Sequence, residues 1–481
     1  MMPAAGGVRR PGTRRMLFFL PSPGLSMLFS SVTFLFYFLP AFLALYYVLP
    51  WKNTVLLLAS LLFYAWGEPR FVPLLLLSAL LNYGFGYAIA RSGGAVRRQL
   101  LGAGIAVNLG LLGYFKYLGF FAGAVNLLAG SHLPTPAMLL PLGISFFTFQ
   151  GISYLIDVHR GTVAAQKSFW TFAMYKAMFP QLIAGPIVRY QQIAGEIEHR
   201  VLSNERLWRG LRQFIAGLSQ KVLIANTLAS AADPLFDAAP QLNAGAAWLG
   251  IACYSLQILY DFAGYSNMAI GIGHMIGFSY PPNFKQPYGA LSITDFWRRW
   301  HISLSSWFRD YLYIPLGGNR GGPLRTYANL ALVFVLCGLW HGAAWTFLVW
   351  GGWHGLLLIV ERAGLGCQLA RLPAALAQAY TLLGVMLGWV FFRAADVPQA
   401  LQYLQAMSGL RHIDPLLHPW QMDVHGAQWT ALLVGAALAL WRSPSPLRQP
   451  LLQAAAGALG LLACAASLAA GTYNPFIYFH F

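Results

Sequence analysis

Between Arg325 and Glu361 the chain carries no Asp, Glu, Lys or Arg, and its only imidazoles there are His341 and His354. A run so long and so poor in charge restricts the fold more than anything else in the sequence, because it is long enough to cross a bilayer. Further apolar runs lie at 28–49, 54–66, 71–90, 99–115, 117–130, 138–157, 209–230, 245–277, 327–350, 351–361, 376–393, 427–441 and 451–471. Only 9% of the residues are charged and the mean hydropathy is +0.56, whereas soluble domains carry about 25% charged residues. The expectation is an all-α, polytopic integral membrane protein, with about 11–13 membrane-embedded helices. The runs are continuous and do not alternate, which argues against a β-barrel.

The formal net charge is +17, from 31 basic and 14 acidic residues. Positive-inside bias accounts for much of this; the alternative is that some bases hold an anionic ligand. The bases are scattered through short loops and form no polybasic face, so no nucleic-acid partner is expected. Arg91, Arg97 and Arg98 lie between two apolar runs and mark that loop as cytoplasmic. Counting back three runs puts the first residues outside, yet Arg9, Arg10, Arg14 and Arg15 would resist export. Either the count is off by one or residues 1–26 form a leader outside the fold, with the domain running over 27–481 from Met27. The four cysteines, Cys253, Cys337, Cys367 and Cys464, form no CxxC pair and read as packing residues.

Three histidines carry the chemical signal, because an ionisable group at membrane depth is expensive and marks a functional site by default. His341 has no acidic residue within its own segment, since none occurs between Asp310 and Glu361. Trp340 and Trp345, the latter about one helical turn on, would line its surroundings. A neutral imidazole in a dry aromatic cleft can take a proton from an alcohol, while a hydrogen-bonded core histidine is the competing reading. His301 ends the run Asp295, Phe296, Trp297, Arg298, Arg299, Trp300. On a helix Asp295 and Arg299 would pair four apart, leaving Arg298 and His301 on another face suited to an anion or oxyanion. An interfacial amphipathic helix is the alternative. Gly351 and Gly352 are expected to break the helix before His354, which reads as structural. No HxxxH or HExxH pair supports a metal site. Asp261 would either orient a histidine or brace helices, and 283–287, after Pro281 and Pro282, would line a route for a ligand.

These same stretches resemble the membrane-bound O-acyltransferase superfamily. The likeness rests on 260–268, 283–287, 295–301, 310–318 and 339–342, with 144–150 and 179–186 upstream and 476–481 at the tail. It extends over essentially 27–481 and is nearest to the alginate-acetylating branch. The resemblance implies a ring of tilted helices around a funnel or tunnel, and acetyl transfer from cytoplasmic acetyl-CoA towards an extracytoplasmic acceptor. It implies His341 as the catalytic histidine and His301 as the second, supplying the oxyanion or orienting the donor. Lys285, Arg298, Arg299 and Arg309 are candidates for the phosphates of CoA, a substrate rather than a permanently bound cofactor. The implied partners are membrane lipids, periplasmic acetyl-transfer proteins of a polysaccharide-modifying complex and a polysaccharide acceptor, with multi-pass placement in a cell inner membrane. The alternatives are D-alanyl transfer to teichoic acid, acetylation of cellulose or another glycan, or a non-enzymatic transporter.

Overall fold

In hydrocarbon every backbone N–H and C=O must be satisfied within the chain, which leaves helices as the economical solution for continuous apolar runs. The computed structural model describes residues 27–136, 138–410, 413–440, 450–471 and 473–475, and these are helical or irregular, with no strand among them. The leader 1–26 and the 476–481 tail lie outside the described residues.

Five described helices are long and apolar enough to cross a membrane: Pro69–Arg91, Gly94–Ala129, Pro323–His341, Ala374–Arg393 and Leu452–Ala469. Phe34–Val48 and Gly426–Leu440 are shorter apolar helices. Leu58, Leu62, Leu77, Leu80, Leu433, Leu459 and Leu462 stand exposed, as side chains facing lipid would. The chain is a multi-pass membrane protein.

The run expected at 245–277 is the helix Ala244–Met275, with most of its side chains buried. It forms the interior of the fold and does not face lipid. The run at 209–230 is Asn204–Ser219, a π-helical turn Gln220–Ala225 and Asn226–Asp237. It packs on the central helix through two glycine pairs. A Cβ on Gly210 would sit 2.5 Å from the Gly271 carbonyl oxygen, and one on Gly217 would sit 2.5 Å from that of Gly264. Small residues let the two backbones approach this closely. Asp261 meets Lys221 at 2.5 Å across the same contact, so of the two readings left open for this aspartate the bracing one holds.

The 327–361 region departs from expectation. The helix ends at His341, turns through 342–344, and restarts as Trp345–Val360. Gly351 and Gly352 do not break it. Gly351 is needed for packing instead: a Cβ there would lie 2.3 Å from the Phe334 carbonyl oxygen, and one on Gly338 would lie 2.2 Å from that of Phe347. Two glycines therefore bring the arms of a helical hairpin into backbone contact, and His341 sits at its closed end.

Candidate active site

His341 is buried, 4% exposed. Its ring is walled by Trp340 at 5.0 Å, Trp350 at 5.0 Å and Phe392 at 5.3 Å between centroids. Trp345 is not part of this wall: it is exposed and packs against Phe120. The early end of the helix is the reason, because Trp345 lies beyond the turn and Trp350 on the returning arm takes the place expected for it.

His301 reaches the same place by another route. Ile293–Arg299 is a short helix whose first N–H groups need acceptors. Glu361 supplies them, accepting from the Ile293 and Thr294 amides at 2.6 and 2.9 Å and from the Thr294 hydroxyl at 2.6 Å. This docks the segment against the hairpin's second arm. Asp295 and Arg299 pair at 2.9 Å, as their spacing predicts. Trp300 then leaves the helix, and His301 adopts a left-handed conformation, φ +43°, before Ile302–Phe308 begins. Arg298 and His301 therefore do not share a helical face: Arg298 is exposed and His301 is wholly buried. A non-glycine residue in this backbone region is strained, and such strain gathers at functional sites.

The protonation of His301 follows from its neighbours. The Ser303 amide donates to Asn283 Oδ1 at 3.2 Å, and the Ser303 hydroxyl, which accepts from the Ile187 amide at 3.0 Å, donates to it at 2.9 Å. The Asn283 atom facing this cluster must be the oxygen. His301 Nδ1 lies 3.1 Å from that oxygen, so Nδ1 carries the hydrogen and Nε2 the lone pair. Nε2 is buried without a hydrogen-bond partner among the described residues. His301 lies outside the five spanning helices, and burial pushes its pKa down to about 3, so the ring is neutral. A neutral ring in this tautomer accepts at Nε2 and cannot donate there to an oxyanion.

The two imidazoles are 6.3 Å apart between centroids. That is too wide for a direct hydrogen bond and leaves room for one bridging oxygen. The Nε1 atoms of Trp340 and Trp350 are also buried and unpartnered among the described residues. Unmade buried hydrogen bonds cost about 1–3 kcal/mol each, so these groups, on rings packed against the histidines, make this a candidate place for polar ligand atoms. His354 packs against Trp350 at 5.3 Å between centroids, and its Nδ1 accepts from Trp297 Nε1 at 3.3 Å.

The four basic candidates separate into two groups. The Lys285 amide donates to the Arg299 carbonyl at 2.9 Å, which brings the 283–287 segment alongside Arg298 and Arg299. Arg309 belongs to a different cluster. It and Arg189 each meet Asp310 at 2.7 Å, and Arg160 donates to the Asp310 carbonyl at 3.2 Å. Burial raises the Asp310 pKa, but the two guanidinium hydrogen bonds outweigh it and the net shift is downward. Spacing gave no sign of the partnership of Asn283 with His301, nor of Lys116, whose Nζ lies 2.6 and 3.1 Å from the Trp340 and His341 carbonyl oxygens.

A probable alginate O-acetylase of Pseudomonas putida is 41% identical to this chain over 494 aligned residues, covering 95% of it and 100% of the relative. The chain belongs to the membrane-bound O-acyltransferase family. The family's own model, described as the membrane-bound O-acyltransferase family, matches residues 162–392, a range that includes Asn283, His301 and His341. A peptidoglycan O-acetyltransferase of Helicobacter pylori is 40% identical over 80% of this chain and 81% of the relative. A teichoic acid D-alanyltransferase of Bacillus subtilis is 29% identical over 47% of this chain and 60% of the relative. The protein is thus a membrane O-acyltransferase, and the two-histidine site is the candidate seat of its chemistry.

Proposed function

We propose that this enzyme moves an acetyl group from cytoplasmic acetyl-CoA to a hydroxyl acceptor for O-acetylation of an exopolysaccharide, with alginate the first candidate. The carrying observation is the pair of buried imidazoles 6.3 Å apart, one with its tautomer fixed by Asn283. His341 acts as the base and removes the acceptor proton. The oxygen attacks the thioester carbonyl, the carbon–sulfur bond breaks, and the departing thiolate takes the proton back, giving an ester and free CoA. His301 Nε2 accepts a hydrogen bond from a bridging water, whose second hydrogen goes to the acceptor oxygen and orients it while the acceptor's own hydrogen points to His341. Lys285, Arg298 and Arg299 on one side, and Arg309 on the other, are candidates for the donor's phosphates.

The acetyl reading is favoured over D-alanyl transfer because the relative named as an alginate O-acetylase aligns over 95% of this chain, while the D-alanyltransferase aligns over 47%. Placement in a cell inner membrane, with periplasmic proteins completing delivery to the polymer, goes with this reading. The test is His341→Ala, assayed for acetyl content of the polymer and for protein abundance in the membrane. Acetylation is abolished at normal abundance; retained acetylation would end the assignment of the base.

A further inference from the structure

We infer that Lys116 and Tyr117 form a clamp on the last turn of the Pro323–His341 helix, and that Lys116 is a positioning residue for the His341 imidazole. Both lie in the π-helical turn Gly113–Tyr117, within the spanning helix Gly94–Ala129. Such turns inside α-helices recur at functional sites.

The last four carbonyls of a helix have no partner within it. Here the Gly338 carbonyl accepts from the Gly342 amide at 3.2 Å. The Leu339 carbonyl accepts from the Tyr117 hydroxyl at 2.8 Å. The Trp340 and His341 carbonyls accept from Lys116 Nζ at 2.6 and 3.1 Å. Lys116 Nζ also donates to Ser145 Oγ at 3.2 Å. An ammonium has three donors, and all three are placed. The end of the catalytic helix is therefore fully satisfied, two of its four carbonyls by one side chain that arrives from more than 200 residues away.

The charge makes the same point. A lysine within a spanning segment is costly unless it is compensated. No carboxylate pairs with Lys116 among the described residues. Its counter-charge is the negative end of the helix dipole, worth about half an elementary charge. A neutral donor would satisfy the carbonyls, but only a cation also meets this field. One of the bonds is to the carbonyl of His341 itself, so the clamp fixes the peptide that carries the imidazole. Displacements of about 1 Å at a reacting group can cost 100-fold in rate.

This inference rests on His341 being the base, and two measurements keep the two ideas separable. The full chain is placed in lipid nanodiscs as wild type, Lys116→Met, Lys116→Arg and Tyr117→Phe. Hydrogen exchange of peptides covering 335–342 needs no substrate and reports whether the helix end loosens. Steady-state acetyl transfer from acetyl-CoA reports kcat and KM. Exchange at the helix end rises in Lys116→Met, its kcat falls about 100-fold at unchanged KM, and Lys116→Arg restores most of the turnover. Tyr117→Phe loses one bond and falls about 5- to 10-fold. Wild-type kcat in Lys116→Met, or a loss shared by the arginine variant together with lowered thermal stability, would overturn the clamp. Should Lys116→Met not accumulate, Tyr117→Phe decides, and a wild-type kcat there overturns it. If wild type itself transfers nothing from acetyl-CoA while exchange responds as described, the donor assignment falls and the clamp stands.

Discussion

Replacing Asn283 with alanine tests the tautomer on which the role of His301 depends. Asn283 Oδ1 accepts from His301 Nδ1, the Ser303 amide and the Ser303 hydroxyl at 3.1, 3.2 and 2.9 Å. The hydroxyl can turn away once the oxygen is gone; the amide and the ring cannot. The ring has one escape, moving its hydrogen to Nε2, and that exchanges an acceptor for a donor where the water that orients the acceptor would bind. Returning to the productive tautomer then means leaving Nδ1–H buried and unbonded, at about 1–3 kcal/mol. That free energy corresponds to a fall in kcat of about 5- to 150-fold. KM for the donor is unchanged, because Asn283 acts on His301 and not on the donor. Asn283→Asp keeps an acceptor in place and retains more turnover than the alanine variant. The assay is steady-state acetyl transfer in nanodiscs, normalised to membrane abundance. Wild-type kcat in Asn283→Ala, or equal losses in the aspartate and alanine variants, would refute the reasoning.

Two further outcomes follow from the geometry. Gly351→Ala puts a methyl 2.3 Å from the Phe334 carbonyl oxygen, where the contact is backbone and cannot yield. The arms of the hairpin separate, and thermal stability falls by about 1–3 kcal/mol or more; an unchanged unfolding midpoint would count against close backbone contact. His301 is held neutral, with its pKa lowered by burial to about 3, so it stays in its active form from neutral pH down to about 5. The pH profile of kcat shows no limb near pH 6.5 from this residue, and a limb there that disappears in His301→Gln would contradict its burial.

Local spacing made part of this site readable. Asp295 and Arg299 pair four apart as any helix would have them, and the cost of burying an imidazole singled out His301 and His341 before either had a neighbour. What spacing could not supply was the position of the turns. A helix continued through 345 makes Trp345 a wall residue, whereas one ending at His341 hands that position to Trp350. Glycines at 351 and 352 read as a break, yet at Gly351 the missing side chain serves packing between helices, which no single-segment pattern reveals. The left-handed turn at His301 likewise separated it from Arg298. Lys116 could have been found, since the rule that flagged the histidines applies equally to a lysine in an apolar run. Its partner, 225 positions along the chain, could not.

The helix Ile144–Arg160 also works as a depth gauge. Near one end, Ser145 touches the lysine that holds the His341 carbonyl. Near the other, the Val158 carbonyl accepts from Arg97 at 3.0 Å, in the first turn of the helix Gly94–Leu112, within the basic stretch expected on the cytoplasmic side. Thirteen residues of α-helix separate Ser145 and Val158, a rise of about 20 Å. The hydrocarbon layer is only about 30 Å thick, so on the expectation that the basic 91–98 stretch faces the cytoplasm, we propose that chemistry at His341 lies away from that face by a length of this order. On that proposed orientation, a donor anchored at the rim would deliver its acyl group on a long, slender arm. The pantetheine chain of the proposed donor has that shape, and a compact acylating agent does not.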